Sequence, residues 1–327
     1  MKRFKNILFV MPHETINEAA FGRAVTLAEQ NQAELTLIDV VPPASGYVGS
    51  PFGFHTVTDF QSAVVDNQRQ KLAAFAEDHT KGIPIKTKVL EGVPFLEIIR
   101  EVLRNNHDLL VKVAENGDLL DRIFGSDDMH ILRKCPCPLL LLKPEAPKSH
   151  HRILAAVDVE DEYPRKEMAT RSALNLQILE LASSMALAES SELHIVHAWD
   201  AFGESALRYG AFSRRPETEV NAYVEKVQQQ YQAKLDALMQ EGVSYLGEDA
   251  LEYLKPQTHL VKGRARVEIP ALANRIEADL VVMGTVARTG VPGFIMGNTA
   301  ENILNKIGCS VLAIKPPGFE TPVTLEE

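Results

Sequence analysis

At 327 residues the chain is long enough for two domains of about 150 residues each. Its 45% hydrophobic and 24% charged residues match a soluble globular protein, and no stretch nears the roughly 18 uninterrupted apolar residues of a membrane span. A formal net charge of −10 argues against a nucleic-acid surface, which needs a basic face, and three cysteines are too few for a disulfide framework.

In chain order, the start Met1-Lys2-Arg3-Phe4-Lys5 is basic. The apolar run Asn6–Met11 behind it is too short for a signal segment and no cleavage site follows, which predicts a cytoplasmic protein with nothing removed. His13 stands alone after this first strand, without a carboxylate or cysteine partner, and reads as structural or solvated. Residues 46–55 insert Tyr47, Phe52 and Phe54 among glycines, a loop read as folded onto its own domain, with a lid over an apolar pocket as the alternative. Cys135 and Cys137 flank Pro136, and Cys309 lies near the end of the second half. No further ligand stands at zinc-like spacing, so each is read as a buried thiol at the entrance of an apolar strand. Lys143–His150 is polar, carries Pro144 and Pro147, and has linker chemistry, with His150 and His151 solvated.

Beyond the linker, strands are predicted over Arg152–Val157, Leu193–Trp199, Thr258–Val261, Asp279–Met283 and Val311–Ile314. Helices are predicted over Arg171–Glu189, Val220–Gln240, Ile269–Glu277 and Thr299–Ile307. Three residues apart on one strand, His194 and His197 face opposite ways and form no chelating pair. Trp199 reads as core or rim, with base stacking as the alternative.

The two halves align. Gly125–Lys134 lies over Gly297–Lys306, and Cys137–Lys143 over Cys309–Lys315. Gly92 falls on Gly263, Glu97 on Glu268, Asp108-Leu109-Leu110 on Asp279-Leu280-Val281, and Ala33-Glu34-Leu35 on Ser191-Glu192-Leu193. This is a duplication. Near-continuous apolar strands separated by helices indicate α/β domains, doubly wound, each with a five-stranded and mostly parallel sheet. The predicted division is 1–144, 151–316 and a tail 317–327. Such sheets bind ligands outside the carboxyl ends of their strands, which here means just after Val157, Trp199 and Met283.

Asp158 closes the first strand of the second half, Met283 runs into Gly284-Thr285-Val286-Ala287-Arg288, and Gly297-Asn298-Thr299-Ala300-Glu301 opens a helix. Bare glycine backbone and a helix N-terminus suit a phosphate, Arg288 can meet it bidentately, and Asn298 with Glu301 has capping-box spacing. Alternatively, these glycines only shape a turn and a helix start. The first half differs at each point: Pro12 replaces Asp158, Glu115 and Asp118 enter the loop, and Asp127 and Asp128 fill the first helical turn, where they repel an anion.

With Gly284, Ala287, Gly297 and Asn298 in the places of a G-x2-G-x9-G-[ST] motif, the chain resembles the universal stress proteins, in their tandem-domain form. The resemblance covers nearly the whole chain and implies Rossmann-like, adenine nucleotide alpha hydrolase-like domains. It also implies an ATP site in the second half, lined by Val157, Asp158, Ala198, Met283, Gly284, Thr285, Ala287, Arg288, Gly297, Asn298 and Thr299, any Mg2+ arriving with the nucleotide. Asp158 would meet the adenine, and Ala198 stands where the family usually has a valine against the base. Two motif positions depart: Ala287 adds a Cβ, at roughly 1 kcal/mol if a left-handed backbone is kept, and Asn298 replaces Ser or Thr. The resulting expectation is a non-catalytic stress-response protein holding an adenine nucleotide; a slow ATP hydrolase and a ligand-free scaffold are the alternatives. No base, metal-binding carboxylate pair or lysine adjoins the loop, so no catalytic or metal residue is assigned. The halves are expected to form an intramolecular pseudo-dimer through their last strands, with a homodimer also open.

Overall fold

Short runs of leucine and β-branched residues must be covered on both faces, and the chain meets that demand by interleaving them with helices. The structure, a computed structural model, describes residues 4–11, 17–44, 56–79, 82–115, 126–147, 149–210, 214–285 and 296–325. Pro12, His13, the aromatic insertion 46–55, Asp118, Gly125, Ala287 and Arg288 lie outside the described residues. The first half runs β1 (Asn6–Val10), α1 (Glu18–Asn31), β2 (Glu34–Val41), α2 (Val57–His79), β3 (Ile85–Glu91), α3 (Pro94–Asn105), β4 (Leu109–Val113), α4 (Ser126–Lys134) and β5 (Leu139–Leu142). The second half runs β6 (Arg152–Ala156), α5 (Arg165–Glu189), β7 (Glu192–Trp199), α6 (Glu204–Tyr209), α7 (Glu217–Leu246), α8 (Glu248–Leu254), β8 (Gln257–Lys262), α9 (Ala265–Arg275), β9 (Leu280–Gly284), α10 (Asn298–Leu304) and β10 (Ser310–Ile314). No helix of the described residues is long and apolar enough to cross a membrane.

Two compact units emerge. One holds Arg3–Ser149 together with Thr285, Met296 and the segment from Cys309 onward; the other holds His150–Gly284 and Gly297–Gly308. In the first unit β3, β2, β1, β4 and β5 pair in parallel, and β10 closes the β5 edge antiparallel, with Leu312 opposite Leu140. The tail stays with this unit: Arg100 donates to the Thr324 carbonyl at 3.2 Å and the Lys315 ammonium lies over the Phe319 ring. In the second unit β9, β6, β7 and β8 pair in parallel. The strand order reverses between β6 and β9, where Ala156 stands level with Met283.

The aligned residues have matching physical roles. Gln32 and Ser190 end α1 and α5 in left-handed conformations, and the next residues, Ala33 and Ser191, donate back to Ala28 and Ala186 at 2.9 Å. Asp108 caps the start of β1 through the Lys5 and Asn6 amides, and Asp279 caps β6 through those of His151 and Arg152. Gly92 (φ +146°) and Gly263 (φ +135°) leave β3 and β8 by a bend forbidden to most side chains. A Cβ there would meet Glu97 Cγ at 2.7 Å or Glu268 Oε1 at 2.7 Å, which explains why glycine and glutamate recur together.

Some expectations change. α5 begins at Arg165, before Arg171, because Pro164 sets the preceding backbone. His150 is 1% exposed and paired with Glu189, 3.2 Å from its Oε2, so it is not solvated. Gly297, not Asn298, caps α10, and no side chain caps that helix, so the capping box does not form. Cys135 and Cys137 are buried with sulfurs 3.6 Å apart, while Cys309 is only half-buried.

Candidate functional site

At the reversal between β6 and β9, Gly284 is the last residue of β9 and Asp158 lies two residues beyond the end of β6. Val157 is buried and donates to the Val196 carbonyl at 3.0 Å, which carries the chain one residue past β6 before it turns. Asp158 is then held by α5. Its amide donates to Asn175 Oδ1 at 3.0 Å, and Asn175 Nδ2 donates to its carbonyl at 2.7 Å. The carboxylate accepts from Arg171 Nη1 at 2.9 Å, from Tyr163 Oη at 3.0 Å and from the Glu160 amide at 3.2 Å. The Arg171 guanidinium lies 3.4 Å above the centre of the Tyr163 ring. Burial raises the Tyr163 hydroxyl pKa well above its usual value, and the Asp158 charge adds to this. Glu160 is likewise held above the ordinary carboxylate range by burial and by Asp158.

These partners were not foreseen. Arg171 and Asn175 sit four apart on α5, one helical turn, a spacing that brings both to one carboxylate. Both are polar and so carry no part of the apolar spacing that marks the helix in the sequence.

The remaining predicted residues divide. Ala198 is half-buried in β7 beside Val261, and Met283 is buried in β9. At Gly284 a Cβ would fall 2.6 Å from Leu174 Cδ2, so this glycine admits a leucine of α5. Gly297 is buried, whereas Asn298 and Thr299 are exposed on the first turn of α10, where amides lack intrahelical acceptors. Thr285 belongs to the other unit: it is fully buried, donates to the Ile314 carbonyl, and its Oγ1 accepts from Lys315 Nζ at 2.6 Å. Burial pushes Lys315 down to about 8, against the opposing pull of Cys135. The structure therefore brings Val157, Asp158, Ala198, Met283, Gly284, Gly297, Asn298 and Thr299 into one unit and leaves Thr285 in the other.

In the first half the positions aligned with Met283 and Ala300 hold a buried ion pair. Lys112, the next-to-last residue of β4, sends its ammonium to Asp128 at 2.8 Å and to Glu115 at 2.7 Å, and the second Asp128 oxygen accepts from the Glu115 amide at 2.8 Å. Asp128 is fully buried and Lys112 is 7% exposed. Despite the cost of burial, Asp128 and Glu115 hold the lysine above its usual pKa, so it stays charged. Asp127 is pushed up by burial and by Glu115. The sign that this ion pair was present is a single lysine inside Leu-Leu-Val-Lys-Val, which must find an acid when buried.

Comparison with known proteins agrees with this duplicated arrangement. A model of the universal stress protein family matches residues 3–143 and again 150–315. Universal stress protein E of Escherichia coli strain K12 is 29% identical over 331 residues, covering 100% of this chain and 99% of that protein. A Universal stress protein E homolog of Haemophilus influenzae is also 29% identical, covering 96% of this chain and 98% of its own length. Among solved structures, a functionally unknown protein of Pseudomonas aeruginosa PAO1 is similar with a TM-score of 0.68 at 25% identity, over 96% of this chain and 93% of that one. A universal stress protein of Archaeoglobus fulgidus DSM 4304 shares the fold, with a TM-score of 0.57 at 17% identity over 94% of this chain and 98% of that one. The chain belongs to the universal stress protein family and carries two copies of its domain.

Proposed function

We propose that this is a cytoplasmic stress-response protein that binds an adenine nucleotide, ATP in the first instance, through its second copy. The first copy then binds another ligand or none. The observation that supports this reading is that β6 and β9, the neighbouring strands where the order reverses, lead to Asp158 and end at Gly284. The exposed first turn of α10 belongs to the same unit, and amides of a helix's first turn, which lack intrahelical acceptors, suit an anion. Asp158 keeps 40% of its side chain exposed, so an adenine amine has access to it.

The experiment has two parts: assay of nucleotide released on denaturing the purified chain, and calorimetric titration with ATP. ATP is expected to bind, at least tenfold more weakly in Asp158→Ala and unchanged in Asp127→Asn. Ala287→Gly, which restores the family's second glycine, is expected to tighten binding. Absence of both released nucleotide and binding heat defeats the reading. Phosphate release above a blank, lost in Asp158→Ala, would instead favour the hydrolase.

One observation favours a second reading, the ligand-free scaffold. The Asp158 carboxylate is already engaged by Arg171, Tyr163 and the Glu160 amide, so a base must share or displace them. If Arg171 competes with the nucleotide, Arg171→Ala tightens ATP. If the pair only closes a decayed site, that variant gains no affinity.

A further inference from the structure

β7 runs on past its neighbour β6. Ala156 stands level with Val196, and the strand continues to Trp199. Just beyond, Phe202 is 93% exposed, the highest value of any large apolar side chain among the described residues. One exposed apolar ring is ordinary on a protein surface. The setting of this one is not. Ala201 before it is 3% exposed, the Glu204 amide donates back to the Ala201 carbonyl at 3.1 Å, and the chain turns at Gly203 with φ +76°. The Phe202 carbonyl accepts from Tyr223 Oη of α7 at 2.9 Å. Glu204 pairs with Lys262 of β8 at 2.5 Å and with Arg208 at 2.9 Å. Backbone fastened on both sides therefore presents an aromatic ring to solvent.

The fold does not call for an aromatic residue here. In the register that sets Leu35 on Leu193, Val41 falls on Trp199 and Ala44 on Phe202. The hydrogen bonds agree: the Gly92 amide donates to the Val41 carbonyl at 3.1 Å, and the Gly263 amide to the Trp199 carbonyl at 2.8 Å. Ala44 instead gives its amide to Gln61 Oε1 at 2.9 Å. The ring thus occurs in the copy that carries Asp158, and alanine in the copy that has Pro12 in that place. Trp199 offers no second platform, being 3% exposed and packed beside the Tyr231 ring at 6.0 Å.

Phe202, Ala198 and Asp158 belong to one unit and lie at the carboxyl ends of adjoining strands. Phe202 is four residues past Ala198, at most about 14 Å of extended chain, and the turn at Ala201 shortens that reach. A carboxylate reads only the edge of a base and leaves its flat faces to other groups. An aromatic ring on fixed backbone can cover one face at little cost in freedom. Adenine and cytosine both carry an exocyclic amine, so Asp158 alone does not separate them. Two fused rings, however, cover more of a phenyl ring than one does. We propose that Phe202 stacks on the base of a nucleotide whose amine meets Asp158, and that it selects purines over pyrimidines there. This rests on the nucleotide reading above and names the residue that sets its base preference.

The test is calorimetric titration of the full chain with ATP and with CTP. ATP is expected to bind about tenfold more tightly than CTP, and Phe202→Ala to weaken ATP about tenfold and CTP less, so that the preference narrows. Phe202→Trp is expected to keep the preference. Tyr209→Ala, which removes another exposed ring at the end of α6, is expected to leave both affinities unchanged. The proposal is overturned by equal affinity for ATP and CTP in the unaltered chain. It is equally overturned if Phe202→Ala leaves ATP unchanged or weakens both nucleotides by the same factor, or if Tyr209→Ala loses as much. ATP binding that depends on Asp158 but not on Phe202 defeats this proposal and spares the nucleotide reading. No binding of ATP defeats both.

Discussion

Lys112 shows how a single buried charge is tied to its surroundings. With Asp128 fully buried, Lys112→Met removes its cation and leaves the buried carboxylate with hydrogen bonds but no opposing charge from Lys112, which is expected to cost about 3–5 kcal/mol in urea unfolding. Adding Asp128→Ala is expected to recover most of that loss, because Met283 and Ala300 occupy these positions in the other copy. A double variant as unstable as the single one would contradict this account. The glycine–glutamate pairs behave similarly: Gly92→Ala and Gly263→Ala each force a side chain onto a positive-φ backbone and against a glutamate, for about 1–3 kcal/mol by thermal unfolding. Unchanged melting in both would remove the explanation. The aligned glycines were legible from the sequence, but the glutamate beneath each Cβ position was not, since only folding makes a five-residue separation a contact. Asp158 was legible as a strand-end acid, while Arg171 and Tyr163 had no marker beyond helical spacing.

Elements carry the next level. β7 and β8 bring His194 and His259 together with ring nitrogens 2.9 Å apart, and burial lowers both pKa values; His197 is lowered by burial as well. Each binds its proton more readily in the unfolded chain, so the stability they allow is complete above pH 6.5 and declines as pH falls through that value towards their folded-state pKa. Urea unfolding is therefore expected to show lower stability at pH 5.5 than at pH 7.5, with a smaller difference in His194→Gln/His259→Gln. An equal difference in that variant would exclude the pair as its source. The sequence placed His194 and His197 on opposite faces of one strand, yet the partner of His194 comes from β8, 65 residues later. Strands and long helices were recovered because hydrophobic period is local. The cap of α10 was missed because Gly297 and Asn298 are both credible first residues, and side-chain spacing does not distinguish them.

At the scale of the whole molecule, the compact units do not coincide with the sequence repeats, since β10 from the second repeat pairs with β5 of the first. Repeat boundaries follow the duplication and can be read from aligned residues, whereas the pairing of β10 with β5 cannot. A fragment ending at Ser149 would present Leu139–Leu142 as a bare apolar edge, the kind that associates with other chains. It is expected to self-associate in analytical ultracentrifugation, and an added peptide spanning Cys309–Lys315 is expected to reduce that association. A monodisperse monomeric fragment would contradict the prediction.

The same pairing has a consequence for synthesis. β10 leaves the ribosome about 170 residues after β5, which at roughly 5–20 residues per second is a delay of about 10–30 s. Through that interval the nascent chain carries a four-leucine strand lacking its final neighbour, so chaperone engagement should peak there and fall once the last strand is released.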